Sequence, residues 1–262
     1  MRDTPIGIID SGSGGLSIWE HITSLLPHEA TVYIGDHGNV PYSSKTEGFI
    51  RNHVPILIEF LLAHNAKLVV IACNTATVAG INHYRGLYPD LPIVGVVPVV
   101  KTAAERSIKK CFAVLSTPFT ANSQYQKDLI KKFADRCTVH SVGCPNVVSL
   151  IEMGEASSKR LKKELRELLQ PFVQRIDVLA LGCTHFPFLR PVIRDIVGEE
   201  VQILDSGGAV ARQVKRILEH NRSLGAASKP RHMFFTTGNA GHVTKIATAL
   251  LKKAVQFTYA AV

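Results

Sequence analysis

The feature that most constrains this fold is a buried-strand signature that ends in a thiol and occurs twice. Leu68-Val69-Val70-Ile71-Ala72 runs straight into Cys73-Asn74-Thr75-Ala76-Thr77, and Val178-Leu179-Ala180-Leu181-Gly182 runs into Cys183-Thr184-His185. An uninterrupted apolar run of strand length, bounded by small polar residues, is the pattern of a strand covered on both faces, as in a parallel sheet. The residue after such a strand lies at its carboxyl end, where α/β sheets bind ligands. The chain is therefore expected to be an α/β protein that delivers a cysteine to each of two sheet edges.

The pattern extends outward from these strands. Ile6-Gly7-Ile8-Ile9-Asp10 reads as a first strand, Ser11-Gly12-Ser13-Gly14-Gly15 as a turn, and Leu16, Trp19, Ile22 and Leu26 as one face of a helix. A glycine-rich turn opening a helix is expected to form an anion-binding corner from outward-pointing N–H groups and the helix dipole. Ser17 occupies the place of the third glycine in a dinucleotide fingerprint, so a small carboxylate suits this corner better than a dinucleotide. Thr31 to Asp36 reads as a second strand. Ser44-Lys45-Thr46-Glu47 has capping-box spacing and predicts a helix to about His64 with a kink at Pro55. Asn74, Thr75 and Thr77 are expected to cap the helix after Cys73, and Ile93 to Val97 forms a fourth strand.

From there the pattern restarts. A helix from Pro98 to about Lys110 leads to a strand at Phe112 to Leu115 with the polar loop Ser116 to Thr120. Then come a helix from about Asn122 to Phe133, a strand at Thr138 to Val142, and a helix at Val147 to Glu155. A charged helix from Ser158 to Arg175 precedes the second thiol strand; a helix at Pro187 to Ile196 and a strand ending at Asp205 follow it. The remainder predicts helix, strand (Met233 to Thr237), helix and a short final strand. The two halves match in outline, as two similar α/β domains with largely parallel sheets facing each other across an active-site cleft. The expected division is 1–97 plus 208–262 for the domain carrying Cys73, and 98–207 for the domain carrying Cys183.

Composition narrows the function. A chain of 262 residues that is 46% hydrophobic is globular rather than disordered. No apolar stretch approaches the ~20 residues of a membrane span. The cysteines at 73, 111, 137, 144 and 183 form no CxxC pair, so neither a disulfide framework nor a metal knuckle is indicated, and a reduced, cytoplasmic setting fits. The net charge of +9 would steer anions, but its basic residues scatter over solvated helix faces without a nucleic-acid reader motif. A nucleic acid or a DNA enzyme is accordingly not an expected partner.

Two strand-end thiols, one in each half, suit removal of a proton from one face of a carbon and its return to the other. A free thiol titrates near ~8.5, within reach of working range after a modest shift. His185 is the natural proton partner of Cys183, and Asp10 or Glu152 would tune either thiol. Cys111, Cys137 and Cys144 read as small buried hydrophobes.

The chain resembles the glutamate racemases, cofactor-independent enzymes of the aspartate/glutamate racemase superfamily. The resemblance spans essentially the whole sequence. It rests on Ile8-Ile9-Asp10-Ser11-Gly12-Ser13-Gly14-Gly15-Leu16, Gly35-Asp36 with Pro41-Tyr42, Ala72-Cys73-Asn74-Thr75-Ala76-Thr77, Gly95-Val96-Val97-Pro98, Leu181-Gly182-Cys183-Thr184-His185-Phe186-Pro187 and Asp205-Ser206-Gly207. It implies interconversion of L- and D-glutamate, without cofactor or metal, supplying D-glutamate for peptidoglycan. Cys73 and Cys183 would be the paired acid/base catalysts, assisted by Asp10, Glu152 and His185. Substrate would be held at Asp10, Ser11, Tyr42, Ser43, Asn74, Thr75, Thr184 and His185, with Thr117 and Thr120 joining them. A homodimer is the assembly the resemblance implies.

Some letters depart from the family pattern. Ser13 stands where a small aliphatic residue is common, and Phe186 and Phe188 replace Tyr and Leu. Ser43 follows Pro-Tyr where glycine is common, and would be strained if the loop needed a positive φ. The first strand begins almost at once, so no N-terminal extension of the kind associated with activation by a peptidoglycan precursor is expected, and activity should not need one. Aspartate racemisation would use the same two thiols and differ in pocket depth. A binding protein without catalysis would instead show salt-sensitive association that survives loss of both cysteines.

Overall fold

The structure is a computed structural model that describes residues 4–97 and 99–262. In chain order, β1 (Ile6–Asp10), α1 (Leu16–Leu25), β2 (Thr31–Gly35), a 3-10 turn (Tyr42–Ser44) and α2 (Glu47–Ala63) come first. β3 (Leu68–Ile71), α3 (Asn74–Leu87), β4 (Ile93–Gly95) and α4 (Val100–Arg106) follow. The next stretch holds β5 (Cys111–Ser116), α5 (Pro118–Asn122), α6 (Gln124–Phe133), β6 (Thr138–Gly143), α7 (Val147–Glu152) and α8 (Lys159–Leu169). β7 (Val178–Gly182), a second 3-10 turn (Phe186–Leu189), α9 (Arg190–Val197) and β8 (Gln202–Leu204) complete it. The chain ends with α10 (Gly207–His220), β9 (His232–Thr236), α11 (Ala240–Leu251) and β10 (Phe257–Tyr259).

The chain divides into two compact units. One is the N-terminal part up to Val96 together with Gly207–Val262; the other is Val97–Ser206. Among the described residues the first contains a six-stranded sheet in the order β10-β9-β2-β1-β3-β4, and the second a four-stranded sheet in the order β6-β5-β7-β8. Every pairing is parallel. The fold is thus α/β, as the apolar runs imply. The stretch β2-β1-β3-β4 has the same order as β6-β5-β7-β8, so the outline match between the halves is a match of topology.

Burial explains why these runs became strands. Every residue of β1, β2, β3 and β7 is buried, which requires helices on both faces of each sheet. In the second unit, Phe112, Val114, Val178 and Ala180 pack with Val100 and Ala103 of α4. On α8, Leu161, Leu165 and Leu169 are buried at four-residue spacing while Lys159, Arg160, Lys162 and Lys163 are exposed. Those cations form a solvated helix face. In the first unit, Trp19 of α1 meets Phe234 of β9 edge-on, with centroids 5.1 Å apart, and its Nε1 donates to Thr31 Oγ1 at 2.9 Å. The C-terminal segment is in this way built into the first sheet.

Several boundaries differ from expectation, each for a local reason. Thr46, not Ser44, caps α2, its side chain accepting from Phe49 N, while Ser44 closes the 3-10 turn. α2 runs through Pro55, whereas α3 departs from helical geometry at Gly80. A Cβ at Gly80 would lie 2.6 Å from the Tyr84 ring. Carbonyls near this break are taken up by side chains: Arg51 Nε donates to Ala79 O at 2.6 Å and Tyr84 Oη to Ala76 O at 3.3 Å. The helix expected over 122–133 is α6, capped by Ser123, while the segment expected as a polar loop after β5 contains the short helix α5, capped by Thr117. The charged helix ends at Leu169 rather than Arg175, and α9 begins only after the 3-10 turn that Pro187 enters. The helix expected from Pro98 to Lys110 is Val100–Arg106, and Pro98 lies outside the described residues.

Candidate active site

In each sheet the strand order reverses at one place, and there the loops diverge and leave a crevice at the carboxyl edge. In the first unit this is between β1, which ends in Asp10, and β3, which is followed two residues on by Cys73. In the second it is between β5, which ends in Ser116, and β7, which is followed directly by Cys183. Both thiols occupy the switch point of their own sheet.

At the first corner Cys73 is itself the N-cap of α3, its sulfur accepting from Ala76 N at 3.5 Å. Asn74, Thr75 and Thr77, expected as caps, are instead the first residues of the helix. Thr77 Oγ1 donates to Ile71 O at 3.2 Å and accepts from Val96 N at 3.2 Å, which ties β3 to the end of β4. Cys73 Sγ lies 3.5 Å from Ser11 Oγ, and Asp10 Oδ1 accepts from Ser11 N at 2.6 Å and Ser11 Oγ at 3.3 Å. Asp10, Ser11 and Cys73 thus form one buried relay. Gly15 is required here by contact: a Cβ would sit 2.7 Å from Asp10 Cβ. Asn74 Nδ2 reaches Val96 O at 3.5 Å, while its Oδ1 is buried without a hydrogen-bond partner in the protein. An acceptor left in that state costs about 1–3 kcal/mol. It is a ready site for a ligand N–H group beside the thiol.

The glycine-rich turn differs from its expected role. The first N–H groups of α1 are already taken: Leu16 N donates to Ser13 O, Ser17 N to Gly14 O and Ile18 N to Gly15 O. Those donors do not point outward to an anion. Tyr33 Oη donates to Gly12 O at 2.6 Å and Ser13 Oγ meets His37 Nε2 at 3.0 Å, so the turn is held from beneath. Tyr42 and Ser43 lie in the 3-10 turn that packs against α3. Ser43 has no positive φ. The strain considered for serine at this position is absent.

The second corner handles its thiol differently. Cys183 Sγ is 3.8 Å from His185 Nδ1, and His185 Nε2 is 2.7 Å from Glu152 Oε1 at the end of α7. Burial works against the imidazolium, but the hydrogen bonds to Cys183 and Glu152 and the charge of Glu152 outweigh it. They hold His185 well above the usual histidine range. Thr184 is buried beside Cys183. Thr117 caps α5 through Thr120 N at 3.4 Å and donates to Thr120 Oγ1 at 3.2 Å, so both hydroxyls lie at the loop after β5. Buried Cys144 follows β6; burial first, then charge on Cys183 and Glu164, push its thiol well above the ordinary range. Among the described residues no group of three or more His, Cys, Asp and Glu could hold a metal ion, and no helix is long and apolar enough to cross a membrane.

The sequence-predicted residues therefore collect at two corners: Asp10, Ser11, Cys73, Asn74 and Thr75 with Tyr42 and Ser43 in one unit, and Glu152, Cys183, Thr184 and His185 with Thr117 and Thr120 in the other. Sequence reasoning missed Tyr84, whose phenol is raised by burial and by charge on Cys73, and His53 and Thr237, which reach Asp36. Nothing in their local sequence signals those contacts.

Residues 6–214 match the family described as Asp/Glu/Hydantoin racemase. The chain is 42% identical to the glutamate racemase of Pseudomonas entomophila over 94% of this chain and 93% of that one. It superposes on glutamate racemase isoform RacE1 of Bacillus anthracis with a TM-score of 0.91 at 30% identity, covering 100% of this chain and 99% of that chain. Escherichia coli glutamate racemase, solved with L-glutamate and the activator UDP-MurNAc-ala, gives a TM-score of 0.86 at 30% identity over 97% of both chains. The chain belongs to the Asp/Glu/Hydantoin racemase family. It is an amino-acid racemase.

Proposed function

We propose that the chain interconverts L- and D-glutamate without a cofactor, Cys73 and Cys183 serving as the two bases. One thiolate removes the α-proton from one face and the other thiol delivers its proton to the opposite face; reversal of roles runs the reaction backwards. The observation that carries this reading is the repeated placement of a buried thiol at a switch point, each with its own proton-handling partner. The glutamate racemases to which the chain is similar support the choice of substrate.

The hard step is deprotonation of a weakly acidic carbon, and fixed dipoles must lower its barrier. At Cys73 the N–H of Ala76 donates to sulfur, which favours charge there, and Ser11 backed by Asp10 provides a hydroxyl to exchange protons with. At Cys183 the partner is the His185–Glu152 pair: the imidazole lies within reach to exchange a proton with sulfur, and Glu152 keeps the ring charged and oriented. Asn74 Oδ1 is suited to the substrate ammonium, and the first N–H groups of the Tyr42–Ser44 turn and the hydroxyls of Thr75 and Thr184 to its carboxylates. The two compact units would act as two domains on one substrate. We place the reaction in the cytoplasm, where D-glutamate is supplied for peptidoglycan. The test is circular dichroism of purified protein with each enantiomer of glutamate and of aspartate, without additives. Racemisation of glutamate well above aspartate is expected; no turnover of either glutamate enantiomer overturns the reading.

A further inference from the structure

Beside the thiol corner of the first unit, a buried carboxylate outside the proposed proton relay has every acceptor position occupied. Asp36 directly follows β2. Its Oδ1 accepts from Thr237 Oγ1 at 2.6 Å and from Asn39 Nδ2 at 3.2 Å; its Oδ2 accepts from Tyr42 Oη at 2.7 Å and pairs with His53 Nε2 at 2.9 Å. Its own N–H donates to Asp10 O at 2.9 Å. The partners come from four places: the loop after β2, the 3-10 turn, the middle of α2 and the loop after β9. Burial raises this carboxyl, but the bonds from His53, Thr237 and Tyr42 and the charge of His53 prevail and hold it below the usual carboxylate range.

The bond to Asp36 decides what the Tyr42 corner can offer. The phenol is buried and committed to Asp36; burial, Asp36 and charge on Cys73 all push it well above the ordinary range, so it stays a donor. It is not available to a ligand. What remains is the backbone: the first N–H groups of a 3-10 turn have no acceptor within the turn, and the turn packs against the helix that Cys73 caps. A buried ion pair adds little stability over an apolar cluster of the same shape, and its best-attested value is in selecting one geometry.

We propose that His53 and Thr237 are positioning residues that, through Asp36 and Tyr42, fix the Tyr42–Ser43 corner so that its N–H groups hold a substrate carboxylate beside Cys73. The proposal rests on the racemase reading above. It gives the C-terminal segment, which supplies Thr237, a place in substrate binding without touching substrate.

The experiment is steady-state racemisation of L- and D-glutamate by wild type, His53→Leu, His53→Gln, Thr237→Val and Thr237→Ser, with thermal midpoints for each. Loss of a contact that positions substrate equally in ground and transition state appears in KM. His53→Leu and Thr237→Val should raise KM for both enantiomers about tenfold while kcat changes less than about threefold. His53→Gln and Thr237→Ser keep a donor and should recover most of the loss. Lower thermal midpoints with KM unmoved, or a fall in kcat alone, would overturn the proposal. If His53→Leu does not fold, Thr237→Val and His53→Gln still decide it. Wild-type turnover separates the two readings: its absence defeats both, whereas normal wild-type turnover with unmoved KM in the variants defeats only this one.

Discussion

The corners at Cys73 and Cys183 share a topology and differ in what surrounds the thiol. Cys73 caps a helix of 14 residues and faces a hydroxyl, Ser11, backed by a carboxylate that reaches it through Ser11 itself. Cys183 is followed by a turn and a short 3-10 segment, and its partner is an imidazole locked to Glu152. One corner gives its sulfur a backbone N–H and a hydroxyl, the other a neighbouring imidazole. A duplicated scaffold fixes where a thiol stands; the residues that tune it are specific to each corner. Substitutions in the two corners should consequently leave different signatures.

The largest effect belongs to the thiols. Cys73→Ser and Cys183→Ser should each reduce racemisation in both directions by about 10²–10⁴-fold, the range for loss of a positioned acid/base, measured by circular dichroism. Full activity in either would end the two-base account. Next come the partners of Cys183. His185→Asn and Glu152→Gln should cost about 10–100-fold, the histidine variant more. Their α-proton exchange should fail from the same enantiomer as in Cys183→Ser. Ser11→Ala should be milder, about three- to tenfold, with the asymmetry of Cys73→Ser, because the helix dipole and Ala76 N–H remain.

The Glu152–His185 pair also predicts a pH signature. A histidine raised in the folded state contributes stability that is fully present below its unfolded value, near ~6.5, and is lost as pH rises through the raised folded value. The gap in thermal midpoint between wild type and Glu152→Gln should be widest near pH 6 and shrink on the alkaline side. A gap that widens with rising pH would contradict the pairing. The smallest effect is at Ser43. With no positive φ to relieve, Ser43→Gly should lower stability by about 0.5 kcal/mol rather than raise it.

Much of this was legible in the sequence because parallel strands buried on both faces leave unbroken apolar runs, and Leu68–Ile71 and Val178–Gly182 are such runs. The residues ending them were therefore identifiable, as was the grouping of His185 with Cys183, two positions apart. Features set by geometry rather than composition were not. Cysteine is not among the favoured cap residues, so the Cys73 cap was assigned to the polar letters after it. The glycine-rich turn looked like an anion cradle because letters do not reveal that Leu16, Ser17 and Ile18 donate back to the turn. The pairing of Asp36 with Thr237, 201 positions away, depends on β9 lying beside β2. Local periodicity carries no trace of it.

The central claim is that two thiols each serve one face of the same carbon. The most direct measurement is α-proton exchange in heavy water, started separately from L- and D-glutamate, in Cys73→Ser and Cys183→Ser. Each variant should exchange one enantiomer far faster than the other, with opposite preference in the two. Equal loss from both enantiomers in both variants, or the same preference in each, would contradict it.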